Sequence, residues 1–204
     1  MKKITLTLTL LLGFMLTLPA QEKRWEHSFN LAVGQLIDGS TLDYTTGIST
    51  KLGYGIAYGF SEQWSLKSGV SVRADLESPV KAFTYDGGDY DGFTFVEVPL
   101  VARYHTANNL VLGFGPVFSF CTANDSYYIN SDPRHPLNGM AKIKDFYVGL
   151  QPSIAHEWKH LSVGVEATLG LMDVKLNHGL TTGSKYLHQV MGCIAYKFPF
   201  FQNL

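Results

Sequence analysis

The chain has 204 residues, a formal net charge of −1, 16% charged side chains and 13% aromatics. That balance offers no basic stripe for nucleic acid, and past the N-terminus no run reaches the ~18 apolar residues of a membrane-spanning helix. Two cysteines, Cys121 and Cys193, are too few for a disulfide scaffold; their predicted strands are not adjacent, which favours free thiols.

In chain order, Lys2 and Lys3 precede an apolar run from Ile4 to Leu18, the small residue Ala20 and a charged cluster, Glu22, Lys23 and Arg24. A positive start, a short apolar core and a small-residue exit are the marks of a secretory signal peptide. Residues 1–20 are expected to be removed, leaving residues 21–204 as one domain. From there the pattern alternates with period two, as half-buried strands do. Strands are predicted at 27–37, 45–60, 64–76, 93–105, 109–123, 146–158, 161–174 and 188–200. The connections 61–63, 106–108 and 159–160 are tight turns, whereas 38–44, 77–92, 124–145 and 175–187 are long and rich in Asp, Asn, Gly, Ser and Pro. Short turns on one rim and long loops on the other are the habit of outer-membrane barrels. The predicted fold is all-β: an eight-stranded antiparallel up-and-down transmembrane β-barrel.

Which face meets which solvent follows from side-chain size. In the fourth strand Val96, Val98, Leu100, Ala102 and Tyr104 alternate with Glu97, Pro99 and Arg103. Elsewhere the less apolar parity is mostly Gly, Ala and Ser, as in Gly53, Gly55 and Ala57 or Gly113 and Gly115. An eight-stranded barrel encloses only enough room for side chains, so small residues suit the lumen and large aliphatic ones suit lipid. The competing arrangement, a soluble lipocalin-like carrier with a water-facing exterior, would need far more charge outside. Tyr58, Phe60, Trp64, Tyr104, Trp158, Tyr196 and Phe198 share the apolar parity beside the short turns or the C-terminal end, as an interfacial girdle does. Phe93 and Phe95 break the parity, as expected of a strand end rising above the bilayer.

Inward parity also collects Lys51, Lys67, Arg73, Glu97, Arg103, Glu157, Glu166 and Lys197. Unpaired ions in a narrow interior are costly, so mixed signs imply a network. Glu97 and Glu166 are expected to meet Lys67, Arg73 or Arg103 and plug the barrel. Pro99, Pro116 and Pro152 sit inside strands, where each lacks a ladder donor and predicts a bulge or a compensating group.

The sequence then resembles a known family. Val96-Glu97-Val98-Pro99-Leu100, followed by Gly113-Phe114-Gly115-Pro116, the glycine-rich lumen parity and the aromatic last strand resemble the PorT-like outer-membrane β-barrel proteins. The resemblance spans the mature chain and implies an eight-stranded barrel in the bacterial outer membrane. The family's namesake takes part in a protein secretion system, which makes a secretion component one alternative here.

No metal or cofactor set is predicted: Asp86, Asp89 and Asp91 lack the spacing of an EF-hand. The leading expectation is a non-enzymatic, monomeric barrel in outer-membrane lipid. Its long loops would meet an envelope partner or surface ligand through Tyr127, Tyr128, Arg134 and His135. An acyltransferase or protease is the enzymatic alternative, with Ser126, Asp132 and His135 in the longest loop.

Overall fold

The computed structural model describes residues 24–39, 44–77, 89–128, 142–172, 175–176 and 186–199. The strands are β1 Arg24–Gly39, β2 Tyr44–Gly59, β3 Trp64–Glu77, β4 Asp89–His105, β5 Leu110–Tyr128, β6 Lys142–Ile143, β7 Phe146–Glu157, β8 Leu161–Gly170, β9 Lys175–Leu176 and β10 Tyr186–Pro199. Eight of them close into one antiparallel barrel in the order β1-β10-β8-β7-β5-β4-β3-β2. Closure is made by β1 on β10, from Glu26 opposite Pro199 to Gly39 opposite Tyr186. A closed cylinder leaves no unpaired strand edge, which is the condition for a sheet to cross a membrane.

Alternation puts large apolar groups outside on every barrel strand. Phe29, Leu31, Leu52, Val72, Leu100, Phe114, Ile154, Val163 and Ile194 are all exposed. Their neighbours Ala32, Lys51, Arg73, Val101, Glu97 and Ser119 are buried inside. Such an exterior matches hydrocarbon rather than water, and the lipocalin-type alternative fails on this orientation.

The strand ends depart from the predicted bounds for local reasons. Asn109 was expected to start a strand, but it lies in the turn with φ 59°, a left-handed conformation that Asn tolerates better than most residues. The Thr106 amide donates to the Leu110 carbonyl at 2.8 Å, and the Leu110 amide donates to Thr106 Oγ1 at 3.2 Å. Phe60 and Trp158 also fall in turns: the Phe60 and Trp158 amides donate to the carbonyls of Trp64 and Leu161. On the opposite rim β5 runs on to Tyr128 rather than stopping at 123, while β8 stops at Gly170 rather than 174. A small ribbon pairs Lys142 with Leu176 and Ile143 with Lys175, in segments expected to be loop.

None of the three prolines makes a bulge. Between β3 and β4 the ladder skips Gly69 and Val70 opposite Val98 and Pro99, then resumes in the same register. The same happens at Leu100 and Val101 opposite Gly115 and Pro116, and at Gln151 and Pro152 opposite Ala167 and Thr168. A proline has no N–H to lose twice, so the ladder omits the pair and keeps its count. At Pro99 the carbonyl is recovered by the Ser68 hydroxyl at 2.9 Å. At Gly115 a Cβ would sit 2.0 Å from the Leu100 carbonyl oxygen, so only glycine allows the strands to approach there. The one register shift in the β4–β5 ladder lies between Thr94 and Phe95.

Phe93 and Phe95 correct the expectation more sharply. Both are buried, at 1% and 0% exposure, and they turn into the barrel, where they form an apolar core with Leu36, Tyr147 and Leu187. They keep the inward parity of Glu97; what changes along β4 is the filling of the lumen, from small and ionic to aromatic.

Candidate functional site

The lumen is layered from the long-loop rim to the short-turn rim. Beneath the long loops, Phe95 and Tyr147 meet edge to face with centroids 5.5 Å apart. The Arg73 guanidinium lies 4.2 Å from the Phe95 ring centre, within cation–π range. Arg73 Nε donates to Asp75 Oδ2 at 3.0 Å, and its Nη1 donates to Glu97 Oε1. Each carboxylate accepts a further hydroxyl: Ser49 donates to Asp75, and Ser119 donates to Glu97 at 3.0 Å. Arg73, Asp75 and Glu97 are at most 1% exposed, so this layer is closed to solvent.

Just below, Lys51 bridges two carboxylates, Glu97 at 3.7 Å and Glu166. The Gln151 amide holds the other Glu166 oxygen at 2.8 Å. Near the short turns a second ionic layer joins Arg103 to Glu157 and, at 3.4 Å, to Glu26. Lys197 reaches Glu157 at 2.9 Å and Glu26 at 3.3 Å. His105 Nδ1 stands 3.8 Å from Glu157, while His105 Nε2 shares a hydrogen bond of 2.8 Å with Ser65.

Between the layers lies a cavity of about 100 Å³. Lys67 points into it and donates to Asn30 Oδ1 at 2.9 Å. Gly55 makes the room, since a Cβ there would stand 3.0 Å from Lys67 Cε and 2.9 Å from Ser28 Oγ. Cys193 lines the same cavity; Cys121 lies against the aromatic core. Both thiols are free.

Every charged residue expected in the lumen faces it, but the partners differ in part. Glu97 does meet Arg73. Glu166 takes Lys51 rather than Lys67, Arg73 or Arg103, because β8 brings it opposite Ser153 and Met191 and across the lumen from β2. Arg103 turns to Glu157 and Glu26, while Lys67 takes a neutral amide. Sequence reasoning missed Glu26, Asp75 and Asn30. Asp75 shares inward parity with Arg73 two positions away, which was a usable signal. Glu26 was lost because the strand was started three residues late, at His27 rather than Arg24, and Asn30 because it carries no charge.

The seven aromatic residues of the expected girdle fall around the short-turn rim, and Trp25 joins them. Trp25 packs on Tyr58 at 4.8 Å, Trp64 on Tyr104 at 5.0 Å, and Tyr196 on Phe198 at 6.5 Å. Trp158 is exposed and packs on His156, while Phe60 is half-buried in its turn. Of the loop candidates, Tyr127 and Tyr128 lie in the β5 backbone opposite Tyr90 and Asp89. Their side chains, that of Ser126, and residues Asp132, Arg134 and His135 lie outside the described residues, as do Asp86 and the expected signal segment 1–20.

No family model matches this sequence, and no curated protein does; the PorT-like resemblance therefore rests on the sequence features alone. Among solved structures, Neisserial surface protein A superposes with a TM-score of 0.51 at 9% identity, over 85% of this chain and 97% of that chain. Ail of Yersinia pestis superposes with a TM-score of 0.47 at 10% identity, over 86% and 99%. OprG from Pseudomonas aeruginosa gives 0.42 at 12% identity, over 86% and 96%. Strand count, closure, apolar exterior and the match to Neisserial surface protein A agree: this chain has the fold of the small eight-stranded bacterial outer-membrane β-barrels.

Proposed function

We propose that the protein is a sealed, non-enzymatic barrel of the bacterial outer membrane, exported through residues 1–20. It would act as a rigid frame that offers its long loops to an envelope protein or surface ligand. The observation that supports this reading is the dry layer of Arg73, Asp75, Glu97, Phe95 and Tyr147 across the lumen. A pore needs a continuous water path, and this layer interrupts it, as expected for a barrel of this strand number. The residues offered for contact are Tyr127, Tyr128, Arg134 and His135.

Reconstitution in planar lipid bilayers tests the sealed barrel. The expected record is a baseline free of steady ion current in the wild type and a leak in the Phe95→Ala, Arg73→Ala double variant. Porin-like conductance of the wild type would defeat the reading. Envelope fractionation is expected to place the protein with the outer membrane and to leave it there through carbonate washing.

The Glu97-x-Pro99 motif favours a second reading, a part in a secretion assembly. Its residues also have a constructional use: Glu97 holds Arg73 and Lys51, and Pro99 ends a ladder segment. A pull-down from intact outer membranes separates the two, since the secretion reading requires stoichiometric co-purification of other envelope components.

A further inference from the structure

We propose that the lumen cavity binds one small monovalent anion, a carboxylate of acetate size or a halide, between Lys67 and Asn30. Charge pairing is the first ground. The cavity is lined by Lys51, Lys67, Arg103 and Lys197 against Glu26, Glu157 and Glu166. Lys51 engages Glu166, while Arg103 and Lys197 share Glu157 and Glu26. All three carboxylates are thereby taken, and Lys67 meets no carboxylate among the described residues. Its one hydrogen bond goes to the neutral Asn30 oxygen, which also accepts from Ser28 at 3.3 Å. A lone ammonium in a confined site is costly unless something balances it.

Geometry limits what that can be. The room is small, about 100 Å³, and admits an acetate-sized ion. Among the described residues Lys67 is the one cation of this wall with no carboxylate within ion-pairing distance, so a single negative charge matches it better than a divalent oxyanion does. Asn30 Nδ2 makes only a 3.5 Å contact to the Ser28 carbonyl and is placed to turn its N–H groups to an anion held by Lys67. The way in lies at the short-turn rim: the Glu26 side chain there is 33% exposed, whereas the Arg73 layer closes the other end.

The test uses the full mature barrel in detergent micelles, followed by amide NMR at Gly53, Gly55, Ser68 and Cys193 during titration with sodium acetate. Ionic strength is held constant with sodium gluconate, whose anion is too large for the cavity. Saturable shifts at these residues are expected with acetate and chloride and only weak ones with sulfate. Lys67→Met should weaken the acetate response at least tenfold. Asn30→Asp places a fixed carboxylate beside Lys67; it should abolish the response and raise the unfolding temperature, which keeps the proposal testable if Lys67→Met does not fold. Absence of saturable shifts in the wild type, equal binding of sulfate, or an acetate response unchanged by Asn30→Asp would each overturn it.

Discussion

The two ionic layers of the lumen use the same chemistry at different depths. Around Arg73 the groups are at most 1% exposed, one guanidinium serves two carboxylates, and aromatic rings close the far side. Around Arg103 the exposure rises to 9% for Arg103 and Glu157 and to 33% for the Glu26 side chain. There two cations share two carboxylates, so each has a substitute. Depth makes the upper layer brittle and sharing makes the lower one tolerant. A buried ion whose partner is removed keeps its full desolvation penalty, whereas a rim ion recovers water.

The largest expected effect follows at once. Arg73→Met strands Asp75 in a dry layer and leaves Glu97 with only the distant Lys51 at 3.7 Å, and should cost about 3–5 kcal/mol of stability. Arg103→Met leaves Lys197 to hold Glu157 and Glu26 and should cost about 1 kcal/mol. Urea unfolding in lipid vesicles gives both numbers; equal costs would break the comparison.

A smaller effect sharpens it from the acidic side. Glu97→Gln keeps the shape and an acceptor for Ser119, but leaves Arg73 with Asp75 and Lys51 with Glu166. The loss of charge-assisted bonds should cost about 2 kcal/mol and lower the unfolding temperature in detergent. Glu157→Gln, backed by Glu26, should lower it by less than half as much. An unchanged temperature for Glu97→Gln would mean that the plug does not depend on this carboxylate.

How much of this was legible in the sequence differs between the same two regions. Alternation in β2, β3, β5 and β8 fixes which side chains turn inward, so the charged set could be collected from parity alone. Pairing could not, because partners such as Lys51 and Glu166 lie on strands that face each other across the lumen, a distance set by closure and stagger rather than by spacing. Phe93 and Phe95 were expected to mark a strand end above the bilayer, whereas both are buried in the barrel's apolar core. Here the filling switches from small and ionic to aromatic near the long loops, and inward parity says nothing of that change. Asn109 shows the local limit: a strand and a left-handed turn residue look the same until the Thr106 to Leu110 bonds are in view.

The smallest expected effect is the most selective probe of depth. Raising salt from ~0.1 to ~1 M shortens the screening length from ~10 to ~3 Å for charges that meet solvent, and does little for buried pairs. The cost of Arg103→Met should therefore shrink by a few tenths of a kcal/mol in high salt, while the cost of Arg73→Met stays constant. Comparing each variant with the wild type at the same salt cancels any general stabilisation by the added ions, including chloride entering the Lys67 cavity. The measurement is the urea midpoint of three proteins at two salt concentrations. A parallel drop in both costs would mean that water reaches Arg73, and with it the layer taken to seal the barrel.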